Sequence, residues 1–367
     1  MLLDSKPKRI LMFTPIRSKT LRSFLLFAAV SPALILSACS SSTTSPTAPS
    51  QYAVVKLTSD VPGGAANVDA NLKNPWGCTF DPTGNLLIVG LNHSGTVAYY
   101  DTTGHPPGGL IQVPSATATT GGSPSGVIAS ANFTIKTLGP TEYIFATEDG
   151  TLSAWNQSLG SSPATRVASQ TGVAVYKGLT EMSGKLYVAN IKTKKVDIYN
   201  SDFTQGISFP DSHAPSGYGP FNLAVIDSKL YATWTRAKMP DATGGVDDSA
   251  GAGIGYVGVY DANGNWQSQF ATGGTLNSPW GIVKAPSGFG QYANQILVGN
   301  FGDGTINAFD NSGKYLGQVS DATGKVIVID GLWALVAGPN GPNNRIYYTA
   351  GTNKENDGTL GYIQFVK

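Results

Sequence analysis

NPWGCTFDPTGNLLIVG (residues 74–90) and SPWGIVKAPSGFGQYANQILVG (residues 278–299) are one phrase written twice. Each has Pro-Trp-Gly, a short apolar run, a turn, and a second apolar run ending in Val-Gly. Aligning the position after the aromatic gives a series along the chain: Gly77, Gly126, Gly178, Asn222, Gly281 and Ala334. The steps are 49, 52, 44, 59 and 53 residues. After each come a second run (NLLIVG, EYIFAT, KLYVAN, KLYATW, QILVGN, RIYYTA) and a third (GTVAYYD, GTLSAWN, KVDIYN, GYVGVYD, GTINAFD, GTLGYIQF). The two often meet at a polar glycine turn such as Asp149-Gly150, Asp303-Gly304 or Asp357-Gly358. Glycine there reaches positive φ without a steric penalty, as a tight hairpin requires.

A weaker fourth run follows five of the six units: LIQVP, TRVAS, GISFP, WQSQFA and YLGQVS. The sixth unit lacks one, and YAVVKLT (52–58) stands unassigned before the first. Four-stranded units of about fifty residues, six times over, predict an all-β fold, a six-bladed β-propeller. The N-terminal strand is expected to join the last blade and close the ring. A β-sandwich predicts no such period, and a β-helix a much shorter one.

Composition agrees. Among 367 residues there are 45 Gly and 22 Pro, with 41% hydrophobic and only 13% charged, as many turns between short buried strands require. The net charge is +1 without a basic stripe, which argues against nucleic acid as a partner.

The first fifty residues read differently. Lys6, Lys8, Arg9, Arg17, Lys19 and Arg22 precede the apolar run FLLFAAVSPALIL (24–36), too short for a comfortable membrane span. Translation starts at Met1 or Met12. The run ends in Leu36-Ser37-Ala38-Cys39, which resembles a bacterial lipoprotein signal with Cys39 as the acylated residue. SSSTTSPTAPS (40–50) follows as a flexible tether. The expected organisation is signal and lipobox over 1–39, tether over 40–51, and propeller over 52–367. The expected location is extracytoplasmic, the periplasm or cell surface, with the chain membrane-anchored through Cys39 and monomeric. Cys78 is then alone in the domain, expected as a small buried hydrophobe.

Propeller topology puts the Pro-Trp-Gly links and the turns between second and third strands on one face. Around the ring, the residue before each aligned position is Trp76, Ser125, Lys177, Phe221, Trp280 and Trp333, with Tyr176 beside Lys177. Trp76, Tyr176, Phe221, Trp280 and Trp333 are therefore candidates to bind a peptide, glycan or protein partner by stacking, or to wedge between blades. Trp76 and Trp280, in matching local sequence, suit the wedge. RAKMPDATGGVDDSAGAGIG (236–255) replaces a tight turn in blade four on the same face. Its Asp241, Asp247 and Asp248 suit a lid, a partner contact, a cation loop or a merely solvated loop.

The phrase PWGI…ILVGNFGDGTINAFD resembles NHL-like six-bladed propellers and, more distantly, gluconolactonase and SMP-30-like ones. The opening NLKNPWG, the stretch DDSAGAGIGYVGVYD and the late GLWALVAG resemble a group of exported bacterial propeller proteins of unknown function. Likeness to gluconolactonases implies a divalent cation, such as Ca2+, held in the channel by oxygens from several blades. Glu148, Asn190, Asn300 and Asp303 are the positions it implicates, with Asn92 and Asn222 nearby. A metal-dependent hydrolase or lactonase is the alternative to a binding module that needs no cofactor. Catalytic motifs add nothing: His93, His105 and His213 are scattered, and there is no G-x-S-x-G elbow or P-loop.

Overall fold

The computed structural model describes residues 51–340 and 342–366; the expected signal, Cys39 and most of the tether lie outside them. Six antiparallel sheets follow one another along the chain, one for each repeat of the phrase. Blade one is formed by Pro75–Phe80, Leu86–Leu91, Thr96–Asp101 and Leu110–Gln112, paired in chain order. Blades two, four and five repeat that order. Blade four adds the short strand Asp248–Ser249, which pairs back on Lys229–Ala237. Blade three has three strands, and isolated bridges at Phe209 and Gln205 stand where the expected fourth run lay. In the sixth sheet Tyr52–Ser59 pairs antiparallel with Thr359–Phe365, in a register running from Tyr52 opposite Phe365 to Ser59 opposite Thr359.

Strand interiors are rich in Val, Ile, Leu and Tyr, and both faces of the inner strands are buried, so the core lies between neighbouring blades. One further cluster, containing Trp76, Phe221, Trp280 and Trp333, draws residues from several blades. Every innermost strand shifts register at or beside its aligned position, for example between Pro75 and Cys78 and between Pro279 and Ile282. A bulge there re-aims the side chain and bends the strand.

The aligned glycine has its own reason. A Cβ on Gly77 would sit 2.6 Å from the Val127 backbone nitrogen, and one on Gly281 would sit 2.8 Å from the Trp333 carbonyl oxygen. At these glycines the inner strands of adjacent blades approach too closely for a side chain. Polar ties cross the same gaps: Ser125 Oγ donates to Tyr176 O at 2.9 Å, Asn222 Nδ2 to Trp280 O at 3.0 Å, and Thr349 Oγ1 to Trp76 O at 2.5 Å.

A second repeated device, Asp-x-(Thr/Ser/Asn)-Gly-x, shapes six turns. In the turns at Asp101, Asp241, Asp261, Asp310 and Asp321, one carboxylate oxygen accepts from the backbone nitrogens two and four residues on. Asp81 divides the same bonds between its two oxygens. Asx geometry of this kind satisfies backbone donors that the ladder leaves free.

Candidate binding site at the channel mouth

The tryptophans meet on the axis. Trp333 lies between Trp76, 3.9 Å away with planes 24° apart, and Phe301, 3.9 Å away at 21°. Trp280 meets Trp333 edge-on at 5.8 Å, and Phe221 packs at 5.8 Å from the same ring. Trp76 is 4% exposed, Trp280 3%, Trp333 1% and Phe221 0%. These rings fill one another's faces and plug the channel, so they do not form the open stacking rim that their channel-mouth positions allowed. The bulges turn them inward, where self-packing removes most of their surface from water. Tyr176 is also buried, inside blade three, its hydroxyl 2.6 Å from that of Tyr199 and donating to Asp197 at 3.2 Å. Phe301, in the turn after Ile296–Asn300, completes the stack and was not among the expected residues. Its only sequence signal is its place one residue past the second run.

Above the plug lies a charged cluster. Lys177, 1% exposed, stands 4.8 Å over the Trp76 ring and holds Glu148 at 2.6 Å and Asp247 at 3.8 Å. Burial disfavours its charge, but Glu148, Asp247 and Asp248 outweigh that and hold its pKa above the ordinary value. Asn92 Nδ2 donates to the second Glu148 oxygen at 3.1 Å. Asp247 also pairs with Lys238 at 3.2 Å. Its walls alone would raise that carboxyl; the two lysines hold it below the usual range.

Two carboxyls go the other way. Burial pushes Asp248 up to about 6, with the Asp247 charge adding to the effect. Glu355 is pushed up to about 7, first by burial and then by Asp247 and Glu148. Asn74 fixes Glu355 in place. The Trp333 indole N–H can only donate, and it meets Asn74 Oδ1 at 3.3 Å. The Asn74 amide nitrogen therefore faces Glu355 Oε1 and His93 Nε2, each at 3.2 Å. Asn74 and Glu355 both sit at positive φ, 46° and 66°, and Asn353 and Lys354 before Glu355 do likewise. Such left-handed backbone costs energy outside glycine and is tolerated where the surroundings over-determine it.

The blade-four insertion covers one side of the mouth. Lys192 Nζ ties it to blade three through Gly172 O and Gly244 O, both at 2.9 Å, and Val246 packs into the aromatic cluster. A pocket of about 740 Å³ lies between the insertion and blades two and three. Glu148, Lys177, Lys192, Lys238 and Asp247 line it.

The implicated metal positions do not come together as a ligand set. Glu148 is engaged by Lys177 and Asn92. Asn190 Oδ1 accepts from Val175 and Thr193 nitrogens while its amide donates to Asp197. Asn300 bonds Thr275 O and the Asn277 nitrogen, and Asp303 accepts from Thr305 in its own turn. Among the described residues no three His, Cys, Asp or Glu side chains are grouped to hold an ion. Cys78 is buried, and burial raises its thiol pKa.

Comparison with known proteins places the chain in a family. It belongs with two proteins of Acanthamoeba polyphaga mimivirus, "Uncharacterized protein L690" and "Uncharacterized protein R648". The first is 32% identical over 313 residues, covering 82% of each chain. The second is 30% identical over 321 residues, covering 84% of this chain and 78% of the relative. No protein-family model matches the chain. Among solved structures it is similar in fold to a streptogramin B lyase (TM-score 0.52, 12% identity, 86% of this chain and 98% of that one). It is likewise similar to a putative gluconolactonase (0.53, 13%, 87% and 93%) and a luciferin-regenerating enzyme (0.53, 13%, 86% and 96%).

Proposed function

We propose that the protein is a binding module whose ligand, a peptide, glycan or protein partner, enters the mouth pocket between the blade-four insertion and blades two and three. One observation carries the reading. A fully buried lysine is kept charged by carboxylates from two other blades, directly above a sealed aromatic floor. Burying the lysine while both of its carboxylate partners keep contact with water does little to stabilise a fold, because desolvation of the ammonium offsets most of the Coulomb gain. Such an arrangement is more readily explained by recognition, with polar groups fixed at the bottom of a concave site. The propeller supplies the rigid frame.

Probing peptide and glycan arrays with the wild type and with the double variant Glu148→Gln/Lys177→Met tests this. Hits should be lost in the variant while its circular dichroism stays unchanged. Hits kept by a folded variant would remove the mouth as the site.

We also propose that the chain is exported and lipid-anchored through Cys39, with 40–51 as tether. The support is the basic stretch, the short apolar run and Leu-Ser-Ala-Cys. Cys39→Ala should move the protein from the membrane to the soluble fraction of cells that make it; continued membrane association would end the proposal.

A further inference from the structure

On the far side of the tryptophan plug the channel is open. The inner strands of all six blades line a shaft of about 240 Å³ there, and Trp280 belongs to both the plug and the shaft. The wall repeats with the blades. Thr79, Ile128, Thr180, Ala224, Val283 and Val336 each stand two residues past the aligned position, and each is half-buried or nearly so. All but Val283 line the shaft, and Val283 lines a wider opening of about 500 Å³ that shares Thr79, Ala224 and Val336 with it. Two features set what the shaft can hold. First, no charged side chain lines it among the described residues. Asp81, Asp227 and Lys284 stand only at the wider opening, where Lys284 pairs with Asp227 at 2.6 Å and Asp81 is committed to its own turn. A charged group carried down to the plug would lose its water without gaining a partner. Second, Asn222 lines the shaft and is only 8% exposed. Its amide nitrogen donates to Trp280 O at 3.0 Å, and its Oδ1 accepts no hydrogen bond among the described residues. A buried amide oxygen calls for a donor. Water alone would fill the shaft with about eight molecules, to which Ile128, Ala224 and Val336 offer no side-chain partner.

We propose that this shaft is a second binding site, for a slender uncharged molecule with an aliphatic body and a hydroxyl or amide N–H at its leading end. The leading group donates to Asn222 Oδ1, and the body lies against the ring of Ile128, Ala224 and Val336. The wider opening is the entrance. The plug separates this site from the mouth pocket, so the assignment stands apart from the reading of the mouth.

Saturation-transfer NMR on the full chain tests the proposal with three probes of one length: hexanol, its methyl ether and hexanoate. Hexanol should receive transfer and saturate. The ether keeps the aliphatic body and loses the donor, so its half-saturation concentration should be about tenfold higher. Hexanoate should receive none. Ala224→Phe and Thr180→Phe fill the shaft from half-buried positions on two blades, and each should abolish the hexanol signal. Unfolding midpoints confirm the fold, and either variant suffices if the other does not fold. Ligands of the mouth pocket should bind both variants as they bind the wild type, which separates the two sites. No transfer to hexanol would mean that the shaft holds water only and would overturn the assignment. Equal transfer to hexanoate, equal affinity for the ether, or a hexanol signal kept by a folded variant with the shaft filled would overturn it as well.

Discussion

Lys177 joins the plug to the pocket: its ammonium caps Trp76 on one side and meets Glu148 and Asp247 on the other. Replacing it with Met keeps the apolar stem but strands Glu148 and the cation-facing ring. Both carboxylate partners keep contact with water, which moderates the cost of a broken buried pair. Lys177→Met should lower unfolding free energy by about 1–3 kcal/mol in urea titrations. Adding Glu148→Gln should recover part of the loss, because the stranded charge is removed with its partner. Glu355 makes a pH prediction of opposite sense to an ordinary salt-bridged acid. Its folded pKa, about 7, lies above the ordinary 4.5. The folded state therefore binds more protons across that window, and stability falls as pH rises through it. The contribution lost is up to about 3 kcal/mol. Glu355→Gln should remove that decline, so that the variant gains on the wild type steadily between pH 5 and pH 8 in thermal unfolding scans.

At the level of the element, the repeated phrase combines a bulge with a glycine. The bulge turns the aromatic onto the axis, and the glycine lets the next blade close in. Gly77→Ala puts a methyl 2.6 Å from a backbone nitrogen of blade two, where no flexible side chain can give way. It should destabilise the fold by about 1–3 kcal/mol, the usual cost of overpacking, read from the urea midpoint at unchanged slope. Much of this scale was legible in the sequence. The apolar runs, their spacing and the glycine turns located the inner three strands of all six blades, because short continuous apolar runs and turn chemistry are local, while the expected fourth run of blade three forms only isolated bridges. Which way Trp76, Trp280 and Trp333 point was not legible, since it depends on a one-residue register shift that leaves no compositional trace. The Asp-x-(Thr/Ser/Asn)-Gly-x turns at Asp81, Asp101, Asp241, Asp261, Asp310 and Asp321 could have been found, being identical local chemistry at recurring places. The Lys177, Glu148, Asp247 and Glu355 cluster could not. Its members are scattered along the chain and meet only because four blades converge on one axis.

The whole molecule depends on how a ring of six sheets holds its two chain ends. Five blades draw their strands from one continuous stretch each, whereas the sixth sheet combines Leu332–Val336, Arg345–Ala350 and Thr359–Phe365 with Tyr52–Ser59 from the other end. Seven residue pairs align the two terminal strands, and Tyr52 packs among Phe289, Tyr292 and Phe365, its hydroxyl donating to Phe289 O at 3.0 Å. That one aromatic therefore fastens the first strand to blade five as well as to blade six. A chain starting at Asp60 would bare the edge of Thr359–Phe365, leave the pocket around Phe289 unfilled, and free the ring to open at that seam. An exposed strand edge also templates association with other chains. Hydrogen–deuterium exchange should then show protection falling first in Thr359–Phe365 and Arg345–Ala350, with blades two to four protected longer. Size-exclusion chromatography should show self-association absent from the intact protein. A synthetic peptide of residues 51–59 added in trans should restore protection to the final strand. Uniform protection in the shortened chain, with an unchanged unfolding midpoint, would mean that the ring is held by contacts between blades alone and that the terminal pairing is incidental to its stability.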